Sequence, residues 1–161
     1  MSLLALFRRL TPVPPPPSSA EPFSPAVMRI VHAYRAWAAE NGLAVGFGGR
    51  LHIEGRVHGR HVAIDPGVPA RVPSWVDVLV VASVREGANV VVTRMTATTD
   101  PLCAAMRAWF DHPILEPELR AIVVAPRMIR LRFAPGAPPE IVEVAMRCVA
   151  AALRNVFGAA P

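Results

Sequence analysis

The chain has 161 residues, 53% of them hydrophobic, and carries a formal charge of +5 at neutral pH. That is the length of one domain, with enough apolar residues to fill a core. No apolar run approaches the roughly 18 residues that a membrane span requires, and the 2 cysteines have neither CxxC spacing nor the number a disulfide scaffold needs, which points to a reducing, cytoplasmic setting.

Residues 1–10 read MSLLALFRRL, with Leu3, Leu6, Phe7 and Leu10 at helical spacing and Arg8 and Arg9 off that stripe. The apolar part precedes the charges and is short, the reverse of a secretory signal, and prolines stand where a twin-arginine signal would continue. The segment is expected to be an amphipathic docking peptide that becomes helical when its stripe enters a groove on another protein. An anionic membrane surface, with Arg8 and Arg9 at the headgroups, is the competing target. Residues 11–23, with four consecutive prolines at 14–17, read as a semi-rigid linker.

A single domain is expected over residues 24–158. Ser24-Pro25 supplies an N-cap and a first-turn proline, Val27, Ile30, Val31, Tyr34 and Ala38 make one helical face, and Asn41-Gly42 ends it. The Gly-rich stretch 46–50 reads as a flexible turn. Residues 51–65 predict a hairpin turning at His58-Gly59, with Val57 opposite Arg60, Gly55 opposite Val62 and Ile53 opposite Ile64. Val76–Val84 and Ala88–Met95 predict a second hairpin, central in the sheet, turning at Glu86-Gly87. Asp100-Pro101 opens a short helix. Ala121–Val124 and Met128–Phe133 predict a third hairpin around Pro126-Arg127, with Arg130 and Arg132 on one face of its second arm.

Pro138-Pro139 leads into a last helix reaching about Phe157. It carries two apolar stripes, one of them Val142, Met146, Val149, Leu153 and Val156, and only a narrow polar strip. A helix this apolar is either deeply buried or paired with a partner. Val142, Met146, Val149 and Leu153 are therefore expected to form a partner-binding or homo-oligomer surface. The whole predicts an α+β fold: an antiparallel sheet of five or six strands packed with about three helices.

Candidate chemistry is sparse. His52, His61 and Asp65 share the polar face of the first hairpin, and neutral imidazoles with a carboxylate suit zinc or a similar ion. Several rows separate the two histidines, and a charge-mixed solvent face accounts for the same residues. Asp111-His112 and Glu116 with Glu118 fall in a proline-flanked loop. There is no GxSxG nucleophile motif and, without lysine, no phosphate-cradling GxxxxGK[ST]. Arg120, Arg127, Arg130 and Arg132 form the densest basic cluster, but no stacking aromatics are interleaved, which argues against nucleic acid.

Gly55, Gly59, Arg60 and Val62 form a Gly-x-x-x-Gly-Arg-x-Val pattern, and the segment around it resembles uncharacterised bacterial α+β proteins with that hairpin. The element order is similar to that of the secretion-chaperone-like fold, which implies helix, three strands, helix, two strands, helix. By this reading the protein is a non-catalytic protein-interaction or adaptor module, chaperone-like by that analogy and needing no cofactor. A peripheral membrane protein and a metal-dependent hydrolase using His52, His61 and Asp65 are the alternatives.

Overall fold

The computed structural model describes residues 23–70, 73–84 and 89–158. The expected docking peptide at 1–10, almost all of the linker and the Glu86-Gly87 turn lie outside the described residues. Helix α1 (Pro25–Glu40) starts where Ser24 accepts the Val27 N–H at 3.3 Å. Its stripe of Val27, Val31, Tyr34 and Ala38 is buried, together with Trp37. Helix α2 (Pro101–Arg107) is capped by Asp100, which accepts the Cys103 N–H at 2.9 Å. Helix α3 (Pro139–Phe157) runs from a first-turn proline to Gly158.

The strands are β1 (Ala44–Phe47), β2 (Leu51–Val57), β3 (Arg60–Asp65), β4 (Val76–Val81), β5 (Val90–Val92), β6 (Leu119–Ala125) and β7 (Met128–Phe133). They form one 7-stranded sheet in the order β1-β2-β3-β4-β7-β6-β5, antiparallel at every pairing. The fold is thus α+β, with more strands than the five or six expected. The extra one is β1, which occupies part of the stretch read as a glycine turn. It pairs with β2 through Val45 opposite Ile53 and Phe47 opposite Leu51.

The first hairpin has the predicted register. His58 and Gly59 both adopt positive φ, at 48° and 77°, as a two-residue turn matched to strand twist requires. The third hairpin also stands, with Ala125 opposite Met128 across Pro126-Arg127. The second does not form. β4 pairs with β3 and β7, while β5 pairs only with β6. The chain leaves β4 along the outer turn of the third hairpin, where Ala82 donates to the Arg127 carbonyl at 3.2 Å and Val84 to the Pro126 carbonyl at 3.1 Å. The third hairpin is thereby inserted between the two arms, so β4 is central as expected but β5 is an edge.

One cluster of buried side chains draws on all three helices and on every strand except β1. Alternation along the strands sends Val76, Val78 and Val80, and Ile129, Leu131 and Phe133, into it. Val142, Met146, Val149 and Leu153 lie in the same cluster. This corrects the expected partner surface on the last helix, because the stripe that seemed to need a partner is used inside the chain. The second stripe is also covered: Ala145 and Ala152 are in the core, and Ile141, Val144 and Cys148 pack partly buried against it.

A buried hydrogen bond ties α1 to the loop before α3, with the Tyr34 hydroxyl donating to the Ala137 carbonyl at 2.8 Å. Burial pushes the ionisation of that hydroxyl far up, so it stays a donor. Tyr34→Phe leaves the Ala137 carbonyl without this partner and is expected to cost about 1–2 kcal/mol. Urea unfolding followed by far-UV circular dichroism measures this, and an unchanged midpoint would show that the bond adds nothing.

Candidate functional site

All of the helices contribute to the core on one side of the sheet. The alternate residues of each strand therefore point the other way, onto a face that no described helix covers. The pairings place these residues in rows. One row crosses Glu54, Ala63, Leu79, Arg130, Val123 and Val91. The next crosses Asp65, Asp77, Arg132 and Ala121. On this face Ala63 and Leu79 form a small buried apolar cluster against Met128, while Val81 and Val91 are exposed.

The polar centre of the face is Asp77, which is only 4% exposed. Its Oδ1 accepts from Arg130 Nε at 3.2 Å and Arg132 Nε at 3.0 Å. Its Oδ2 accepts from Arg130 Nη2 at 2.6 Å and Arg132 Nη2 at 3.1 Å. A carboxylate offers about four acceptor sites, so Asp77 is saturated by two bidentate arginines. The sequence allows this because Arg130 and Arg132 stand two apart on β7, on the same face, with Arg132 directly across from Asp77.

Asp65 is the cross-strand neighbour of Asp77 and is 3% exposed. It closes an Asp-Pro-Gly turn, its Oδ1 accepting the Gly67 N–H at 2.8 Å. Gly67 has φ 71° and its carbonyl accepts the Ser74 N–H at 3.2 Å. Arg50 reaches the same place. It donates through Nη2 to the Ser74 hydroxyl, and its Nη1 lies 3.9 Å from Asp65 Oδ2. Burial pushes the Asp65 carboxyl up from its ordinary value. The Gly67 N–H, Arg50 and His52 pull the other way, and Asp77 adds to the rise. Two buried nitrogens here, Arg50 Nε and His52 Nδ1, have no hydrogen-bond partner among the described residues.

His52 and Asp65 are therefore neighbours, but His61 is not with them. It belongs to the turn end of the hairpin, where its Nε2 accepts from Arg56 Nε at 3.1 Å. Among the described residues no three His, Cys, Asp or Glu side chains are grouped to hold a metal. The metal alternative of His52, His61 and Asp65 is corrected accordingly: two-residue alternation puts all three on one face but leaves His61 too far along the strand. The third histidine, His58, bonds Glu143 of α3 at 2.8 Å, tying the hairpin turn to the helix. Asp111 and Glu116 are ion-paired on the surface to Arg94. Burial pushes the Cys148 thiol up, away from the reactive thiolate.

The chemistry on offer is hydrogen-bond donation. Asp77 has no acceptor site left for a proton or a metal, and the Ser74 hydroxyl is held by Arg50. The sequence pointed to Arg130 and Arg132 as a basic cluster but missed Asp77, Arg50 and Ser74. The available signal was one carboxylate inside the otherwise apolar strand VDVLVV. Compared with family models, curated proteins and solved structures, the chain matches none.

Two outcomes follow. Asp77→Ala leaves two partly buried guanidiniums unpaired and is expected to lower stability by about 3 kcal/mol, whereas Glu116→Ala on the exposed Arg94 network leaves it nearly unchanged. Equal urea midpoints for the two variants would remove Asp77 as the anchor. Because the folded-state pKa of Asp65 is raised, folding takes up a proton there. Its stabilising contribution is full below the unfolded pKa, near 4, and is lost as pH rises through the higher folded value. Wild type should thus lose stability relative to Asp65→Asn as pH rises above the unfolded carboxylate value, near 4, and parallel curves would contradict this.

Proposed function

We propose that the protein is a non-catalytic protein-interaction module that docks its partner on the helix-free face of the sheet. The observation that carries this reading is the composition of that face. Val81, Val91, Val123 and Met128 stand partly or largely exposed beside two guanidiniums that are already held in place by Asp77. Apolar area with arginine is what the centres of protein interfaces are enriched in. Arginines fixed beforehand also lose less side-chain entropy on binding. A bond-making reading finds less support, because the carboxylate at the centre of the face is fully engaged.

In the same reading the N-terminal peptide, through Leu3, Leu6, Phe7 and Leu10 with Arg8 and Arg9, recruits the domain to the assembly that contains the partner. Among the described residues no helix is long and apolar enough to cross a membrane, and recruitment to an anionic lipid surface is the outcome that liposome flotation would reveal.

Val81 is 39% exposed, so Val81→Glu is expected to keep the fold and abolish stoichiometric co-purification of the partner. Arg147→Glu, on the exposed strip of α3, is expected to keep both. Loss with Arg147→Glu and retention with Val81→Glu would move the docking surface to the helical side. Leu6→Asp with Phe7→Asp is expected to leave thermal unfolding unchanged and to abolish recruitment, measured by localisation of the tagged full chain. Unaltered localisation would rule the peptide out as a docking element.

A further inference from the structure

The row of charges on the helix-free face is unbalanced in its hydrogen bonds. Three guanidiniums, those of Arg50, Arg130 and Arg132, meet two carboxylates, Asp65 and Asp77. Each guanidinium carries about five N–H donors. Arg130 and Arg132 each give Nε and one Nη2 hydrogen to Asp77, which leaves the remaining donors of both without an acceptor among the described residues. Arg50 Nε is buried and also lacks one. Asp77 cannot accept more, and Asp65 already takes the Gly67 N–H. Among these five groups the formal charges leave one positive charge over.

Two further features make these donors usable. They are accessible, since the Arg132 side chain is 37% exposed and that of Arg130 17%. They are also immobilised, since a side chain bound through two parallel N–H···O bonds has its guanidinium plane set before any ligand arrives. Beside them, on the same face, lie Leu79, Val81 and Met128, across β4 and β7 in register. The surroundings are apolar on that side.

We infer that Arg130 and Arg132, braced by Asp77, form a receptor for a single carboxylate, supplied by a Glu or Asp side chain that the docked protein presents between apolar neighbours. This deepens the protein-binding reading and rests on it for the source of the carboxylate. A carboxylate matches the planar guanidinium edge two oxygens to two N–H groups. Its one negative charge cancels the one positive charge left over. A phosphoryl group would bring about two charges and leave the row net negative on a partly desolvated face. Arg132→Lys keeps the charge but loses the fork, so it is expected to weaken binding where simple charge attraction would not.

The test uses the 15N-labelled full chain and three probes at matched ionic strength: the acetylated tripeptide amide Leu-Glu-Leu, its Leu-Gln-Leu counterpart, and inorganic phosphate. The Nε–Hε signals of Arg130 and Arg132 are followed, since their bonds to Asp77 slow exchange with water. The Glu peptide is expected to shift both signals saturably and to bind at least tenfold more tightly than the Gln peptide. Arg132→Lys is expected to lower that affinity severalfold with the fold intact. Equal binding of the two peptides would overturn the receptor, as would a stronger response to phosphate or an equal response from Arg120 and Arg127. The wild-type comparison decides even if a variant unfolds. No natural partner is involved, so peptide binding establishes the receptor whatever Val81→Glu does to partner capture, and the two readings fail separately.

Discussion

A carboxylate in the middle strand of a seven-stranded sheet has to be compensated, and in this protein that requirement sets the arrangement of everything around it. Removing the charge of Asp77 from water costs several kcal/mol unless hydrogen bonds and counter-charge replace the solvent. β7 supplies both, through Arg130 and Arg132. The pairing works in one register only. A slip of one residue would turn both arginines into the core and bring Ile129 and Leu131 out of it. The same bonds that satisfy Asp77 therefore fix the junction between β3-β4 on one side and the β7-β6-β5 group on the other. At that junction neither a hairpin turn nor a short loop sets the register.

What could be read from the sequence follows from how local each signal is. The hairpin at His58-Gly59 was legible because the turn needs two residues at positive φ, and the alternation on either side of it is unbroken. The helix starts at Ser24 and Asp100 were legible because capping is a contact between residues three apart. Pairing between distant strands carries no such signal. β4 and β5 are both largely apolar on both faces and close in the chain, which suited a hairpin. Their separation by the third hairpin depends on β7 being the strand that can neutralise Asp77. β1 was missed for another reason: its glycine-containing run AVGF is short and carries no alternation of polar and apolar residues, so nothing distinguished it from a turn.

The last helix shows the limit of pattern in a different way. Two apolar stripes on one helix mean that it is covered on most sides, but the pattern does not say by what. In the structure one stripe enters the main core and the other is partly within it and partly packed against it, so the helix is covered by its own domain. The candidate site was half legible on the same logic. Arg130 and Arg132 stood out by density, yet their meaning depends on Asp77, 55 residues away from Arg132 in the chain. The histidines were conspicuous by proximity in sequence, but His61 stands four residues along β3 from Asp65, about 13 Å at the strand rise, and ends beside Arg56 instead.

The helix-free face is also where stability alone gives a poor account of the residues present. Replacing a buried ion pair with apolar side chains of similar volume is often neutral or stabilising, and the neighbouring positions Ala63, Leu79 and Met128 already form an apolar cluster into which such a replacement would fit. Strand register is one use for the Asp77 triad, but one arginine would serve that purpose. The second arginine adds a positive charge that Asp65 and Asp77 do not cancel, and Asp65 sits opposite Asp77, its pKa raised by burial first and by that neighbour as well. Excess donors, one uncancelled charge and an adjoining apolar strip make sense together if the row is completed by an acceptor from outside the chain. That is the physical content of reading this face as a docking surface.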